Sequence, residues 1–278
     1  MRSRVETYYD ETYKSYMIGW SSDHFHMGIW DDGTNNHKES LVNTVEEIAK
    51  RLKISENDIV LDAGSGVGGS AIYLSSKYSC EVIGISNSVT LINAANEKLS
   101  NFPDLSNVSF HYMDFNHTSL SAATFTVIFG LESISHSDDK MQFTKEAFKL
   151  LKPGGRLLIS DGFLSRNNLD RSEKRIYKEF IDGWAIPDLK TSGEFQKIFT
   201  KIGFTNVEYT EKTESVLKSV ERMHRNARFS RYIYLVLNKL KLVPRNRYRS
   251  AKSAFLLKKC VSKKIVEYGF LYGEKPEN

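Results

Sequence analysis

One stretch constrains the fold of this chain more than any other: IVLDAGSGVGGSAIYLS, residues 59 to 75. Ile59, Val60 and Leu61 read as a buried core strand that ends in an acid, Asp62. Gly64, Gly66, Gly68 and Gly69 supply a turn, and Ile72, Tyr73 and Leu74 open a helix. Strand, glycine turn and helix in that order make a nucleotide-type binding turn. Glycine allows backbone angles and close ligand approach that a side chain forbids, and the helix aims its free N–H groups into the crevice. Gly64, Gly66 and Gly69 also satisfy G-x-G-x-x-G, so a dinucleotide and a purely packing turn both stand beside other cofactors at this point.

Alternation of the two periodicities extends the pattern. Leu41, Val45, Ile48, Ala49 and Leu52 share one face of a helix over 38–52. After the turn come a strand at Glu81 to Gly84, a helix at Ser88 to Leu99, strands at Val108 to Tyr112 and Phe125 to Phe129, and a helix over about 139–151. KPGG at 152–155 is expected to end that helix and lead into a fifth strand, Arg156 to Ser160. Residues 161–190 read as a connecting cap, Gly193 to Ile202 as a helix and GFTNVEYTE as a sixth strand. Strands alternating with helices over this length predict a mostly parallel sheet covered on both faces. Ile265 to Tyr272 is a last strand.

Charge is unevenly placed. The net charge is only +5, yet residues 212–264 hold sixteen Lys or Arg and two acids. This segment reads as helical, with Val216, Val220, Met223 and Ala227 on one face, Ile233, Val236, Leu237 and Leu240 on another, and Pro244 as a break. Such a surface attracts nucleic acid, an anionic membrane face or an anionic substrate. The longest apolar run outside the strands, YIYLVL at 232–237, is far short of the roughly 20 residues of a bilayer span. Two isolated cysteines, Cys80 and Cys260, have no metal-like spacing, and the N-terminus has no apolar signal region. A cytoplasmic, metal-independent protein of unknown oligomeric state is the expectation.

DAGSGVGG from Asp62, the acid Asp114 in HYMDF and LKPGGRLLIS at the fifth strand together resemble the class I S-adenosylmethionine-dependent methyltransferases. Within that class DHFHMGIWDDG, GVGGSAIYLS and GLESISHSDDK resemble the small-molecule branch, with its tocopherol methyltransferases, rebeccamycin-type sugar O-methyltransferases and prenyl diphosphate C-methyltransferases. The resemblance implies an α/β, Rossmann-like, seven-strand mostly parallel sheet with an antiparallel last strand. It also implies a helical lid at 1–37, a core of 38–210 plus 265–278, and a basic helical cap inserted at 211–264.

The same resemblance distributes the site. Asp62, Gly64, Gly66 and Gly68 would hold the methionine part of S-adenosylmethionine, Asp114 and Phe115 the adenine, and Tyr9 would close over the cofactor. An acid usual for the ribose is missing; Ser86 and Asn87 are its neutral substitutes, and its absence also weakens the nicotinamide reading. His136 would be the base, oriented by Asp161, with Glu132 facing the acceptor. His26, Trp184, Arg225 and Tyr232 are candidates for binding a hydrophobic or aromatic acceptor, with an anionic one also open: a prenyl diphosphate, lipid, phenol or glycoside. The competing reading is an RNA-binding protein or RNA methyltransferase that uses 212–264, although no RNA-binding motif is present; peripheral membrane contact through that segment is a third.

Overall fold

A computed structural model describes residues 3–277. Residues 1–2 of the expected lid and Asn278 of the expected core lie outside the described residues. The chain opens with α1 (Arg4–Gly19) and α2 (His37–Leu52), then runs through β1 (Ile59–Ala63), α3 (Gly69–Tyr78), β2 (Glu81–Ser86), α4 (Val89–Leu99), β3 (Val108–Tyr112) and β4 (Phe125–Leu131). It continues with α5 (Lys140–Leu150), β5 (Leu151–Leu164), α6 (Arg171–Gly183), α7 (Ser192–Ile202), β6 (Thr205–Glu211), α8 (Thr213–Lys239), α9 (Arg245–Ser262) and β7 (Val266–Glu274).

Seven strands form one sheet in the order β3-β2-β1-β4-β5-β7-β6. β7 pairs antiparallel with both β5 and β6, and the other pairings are parallel. Side-chain alternation explains why both faces need covering: on β4, Val127 and Phe129 join one core cluster and Ile128 the other. Leu41, Val45 and Ile48 of α2 pack into the first cluster, and Phe143 of α5 with Phe195 and Phe199 of α7 into the second. Strand order reverses between β1 and β4, so the carboxyl ends of these two strands splay around a crevice.

Two segments differ from the sequence expectation. KPGG does not precede β5 but lies inside it: Leu151 already pairs with Phe125, and the register shift before Val127 absorbs the extra residues, with Gly154 at φ +73°. β5 also continues past Ser160 to Leu164, because β7 supplies a partner for every residue from Arg156 onward. The second apolar face expected on α8 is not buried: Ile233, Val236 and Leu240 are exposed.

Gly68, expected at the cofactor, does not line the cavity at the carboxyl ends of β1, β2 and β4 and has a packing role. It caps α3 at φ +81°, and a Cβ there would sit 2.6 Å from Phe110 Cζ and 3.0 Å from Ala95 Cβ. Gly68→Ala is therefore expected to cost about 1–3 kcal/mol of stability, with cofactor affinity little changed, as read by thermal melting and calorimetry.

Candidate active site

The carboxyl ends of β1, β2 and β4 open into a cavity of about 730 Å³. Asp62, Gly64, Ser65 and Gly66 form its floor, Ser86, Asn87 and Leu91 one wall, Phe115 another, and Asp23, His24, Phe25 and His26 of the segment after α1 lie against it. Asp62 is buried and its Oδ2 has no hydrogen-bond partner; burial alone pushes its carboxyl up to about 8. An uncompensated buried carboxylate is costly, so this oxygen is set for a cationic or donor group that is not part of the chain. Gly66 lies at φ +54° with nothing within 4 Å of a built Cβ, so a side chain there would project into open cavity.

Other expected cofactor residues are distributed unevenly. Asn87 lines the cavity and its carboxamide makes no hydrogen bond among the described residues, whereas Ser86 Oγ accepts from Ser88 N at 3.3 Å. Asp114 does not line the cavity; it is exposed, with Oδ1 accepting from Asn116 N at 2.8 Å, while its neighbour Phe115 does line it. His26 is a wall residue of the first cavity: Nδ1 lies 2.9 Å from Met27 O and Nε2 lies 3.2 Å from His24 Nδ1. Burial lowers His26 to about 3 and His24 to about 4, which leaves both rings neutral.

A second cavity, about 810 Å³, adjoins the first. Phe180, Trp184, Val220, Met223, Leu257 and Tyr268 give it an apolar wall, Glu132, Asp161 and Glu267 also line it, and among the described residues no Lys or Arg does. Tyr9, Phe25, Glu132 and His136 belong to the walls of both cavities. The boundary between the two is therefore where a donor in one and an acceptor in the other would meet.

His136 sits on a single 3-10 turn, Ile134–His136, just after β4. Lys140, buried beneath it, pins that turn by donating to Ser135 O at 3.0 Å and Ser137 O at 2.7 Å, and it reaches Asp188 O at 2.7 Å. Burial pulls the Lys140 ammonium down to about 8 and His136 down to about 4. His136 Nε2 lies 3.2 Å from the Tyr9 hydroxyl, and Nδ1 has no partner.

The expected hydrogen-bonded pair of His136 and Asp161 is absent among the described residues. Asp161 Oδ2 accepts from Ser135 N and Oδ1 from Gly162 N, each at 2.8 Å, so backbone amides occupy both oxygens. Asp161 thus fixes the turn that carries His136, and Tyr9 takes the partner role. Burial raises Asp161 to about 6. Glu132 holds a left-handed φ of +49° and accepts from Met27 N at 2.5 Å, joining the boundary to the segment after α1. Burial chiefly, with the Asp161 charge beside it, pushes Glu132 up to about 8.

Trp184 lines the second cavity, and its indole Nε1 has no partner. Arg225 and Tyr232 do not join it: Arg225 borders an outer groove with His224, Arg228 and Lys258, and Tyr232 is 57 % exposed. Both lie on the helix face turned away from the core, which the mixed sequence of α8 did not reveal. His24, read from the sequence with His26 as part of the lid, lies on the wall of the first cavity, whereas Asp23, Phe25 and Lys140 escaped the sequence reading, since each acquires its role only through contacts distant along the chain. Among the described residues no group of three or more His, Cys, Asp or Glu is placed to hold a metal ion.

Residues 60–155 match the family model described as a methyltransferase domain. These residues are a methyltransferase domain. Phosphoethanolamine N-methyltransferase 1 of Triticum aestivum is 31% identical over 179 residues, covering 64% of this chain and 34% of that one. The chloroplastic tocopherol O-methyltransferase of Arabidopsis thaliana is 29% identical over 171 residues, 57% of this chain and 49% of that one. The chain therefore spans about a third to a half of the length of these curated relatives. A putative sarcosine dimethylglycine methyltransferase from Galdieria sulphuraria has the same fold, with TM-score 0.79, 17% identity, and 95% of this chain and 98% of that one covered. The cofactor of class I methyltransferases is S-adenosylmethionine, and the unpartnered Asp62 oxygen and the open cradle at Gly66 fit it. Asp62 would face its ammonium, and Asn87 its ribose.

Proposed function

We propose that the chain methylates a hydroxyl group of an uncharged, largely apolar small molecule, with S-adenosylmethionine in the first cavity and the acceptor in the second. The observation that carries this reading is the wall of four residues, Tyr9, Phe25, Glu132 and His136, common to both cavities. When bound, S-adenosylmethionine supplies a methyl group on a positively charged sulfonium. The chain's own task is to align the acceptor, keep water out and take a proton. His136 is neutral at physiological pH because burial lowers it, so it is ready to accept that proton. The rings of Tyr9 and Phe25 and the carboxyl of Glu132 favour a cation beside them. Residues 3–37 and 211–264 act as the cover of the site in this reading: Tyr8 OH of α1 bonds Tyr16 OH at 2.6 Å and Ser250 Oγ of α9 at 2.9 Å.

The carboxyls of Glu132, Asp161 and Glu267 in the second cavity, with no Lys or Arg beside them among the described residues, argue against the diphosphate and other anionic acceptors that the sequence left open, since a desolvated phosphate needs cationic partners. The Trp184 indole N–H, unpartnered in the apolar part of this lining, is a donor that can orient a polar atom of the acceptor. A screen with methyl-labelled cofactor tests this: phenols and lipophilic alcohols should accept label, and prenyl diphosphates should not. Label appearing only on diphosphates or other anions would overturn the acceptor assignment.

Cofactor binding should also move protons. Asp62 sits at about 8 in the ligand-free protein, and an ammonium beside it lowers that value, so binding releases a proton below pH 8. S-adenosylmethionine affinity is therefore expected to rise with pH between 6 and about 8, measured by calorimetry in buffers of different ionisation enthalpy.

A further inference from the structure

Among the described residues, nothing packs on one side of the outer half of α8. Phe229, Ile233, Val236 and Leu240 are 68, 58, 56 and 61 % exposed. Steps of four, three and four residues place them on one helical stripe, which Tyr232 and Leu242 widen. Contiguous exposed apolar surface of this kind marks an interaction site.

Its surroundings are cationic. No Asp or Glu occurs from Arg222 to Lys264. Nearer the core the cations are matched: Arg249 pairs with Asp182, Lys252 with Glu179 and Lys258 with Glu221. Towards the tip, Arg228, Lys239, Lys241 and Arg245 are exposed and make no ion pair among the described residues.

A third cavity, about 810 Å³, leads from this end towards the site. It shares Tyr16, Trp184 and Met223 with the acceptor cavity, and Ile18, 90 % exposed at the end of α1, stands on its wall. Apolar stripe, unmatched cations and a passage inward thus occur together.

We infer that the distal end of α8 and the turn at 240–243 dock on the surface of an anionic phospholipid bilayer, with the third cavity turned towards it as the entrance for an apolar acceptor. Charge complementarity selects this occupant. A second copy docked about a two-fold axis would bring cations against cations. RNA would use the cations and could stack on Phe229 and Tyr232, but it would leave Ile233, Val236, Leu240 and Leu242 in water. A bilayer surface satisfies both features, apolar side chains entering the acyl boundary and cations meeting the headgroups. The entrance part of this inference rests on the proposed methyl transfer; the docking part does not.

Vesicle sedimentation of the full chain tests it. The chain should pellet with vesicles containing about a third phosphatidylserine, not with pure phosphatidylcholine, and pelleting should fall with salt. Ile233→Ser/Val236→Ser/Leu240→Ser should weaken vesicle affinity at least tenfold while melting and cofactor binding stay as in the parent, because these side chains are exposed. Arg228→Glu/Lys239→Glu/Lys241→Glu should weaken it by a similar factor or more. Ile18→Trp fluorescence should shift to the blue on vesicle addition; an unchanged spectrum would overturn the orientation of the entrance. No pelleting with anionic vesicles, pelleting unaffected by the serine variant, or a dimer that the serine variant dissolves would overturn the docking. Failure of methyl transfer with vesicle binding intact would instead remove the enzymatic reading alone.

Discussion

Asp62→Asn is expected to weaken S-adenosylmethionine binding by about 100-fold or more and, in the same protein, to raise the melting temperature of the ligand-free state. Removing one member of a buried charge pair typically costs about 3–5 kcal/mol, which corresponds to about two to three and a half decades in affinity. The opposite sign in the ligand-free state follows from the carboxyl itself. It is buried, one oxygen is unpartnered, and its folded-state value of about 8 lies above its ordinary 3.8. Its contribution to stability is fully present below 3.8 and is lost as pH rises towards about 8, because the unfolded chain ionises first. The neutral amide has no such loss, so the gain in melting temperature should grow from pH 5 to pH 8. A purely structural Asp62 would show a fall in melting temperature and affinity together.

The second large effect concerns the boundary. His136→Ala is expected to lower kcat by about 10²- to 10⁴-fold on a hydroxyl acceptor while S-adenosylmethionine affinity stays within a few-fold. Burial holds the imidazole at about 4, so the acidic limb of kcat/KM assigned to it should lie near pH 4 rather than near 6.5, and the variant should lose that limb. Tyr9→Phe removes the hydroxyl 3.2 Å from Nε2 and should produce a smaller loss with the same cofactor affinity. An unchanged kcat in His136→Ala would reduce the site to positioning alone.

The parts legible in the sequence are those set by local rules. A glycine-rich turn between an apolar run and a helix can hardly form anything but the β1–α3 crevice edge, and periodicity of 2 and 3.6 located most of the alternating elements. Features that depend on partners far along the chain were not legible. Tyr9 meets His136 across 127 positions, and Met27 N reaches Glu132 across 105. Spacing gives no hint of either contact. Placing Asp161 beside His136 was reasonable by position on neighbouring strands, yet its oxygens face Ser135 N and Gly162 N instead. The stripe at Ile233, Val236 and Leu240 has core-like periodicity, and only tertiary structure reveals that nothing covers it.

Titration calorimetry of S-adenosylmethionine into the full chain tests the central claim most directly. Binding at one site per chain is predicted, displaced by S-adenosylhomocysteine, accompanied by proton release at pH 7 and weakened about 100-fold or more in Asp62→Asn. Absence of binding, or affinity and proton release unchanged in Asp62→Asn, would contradict it.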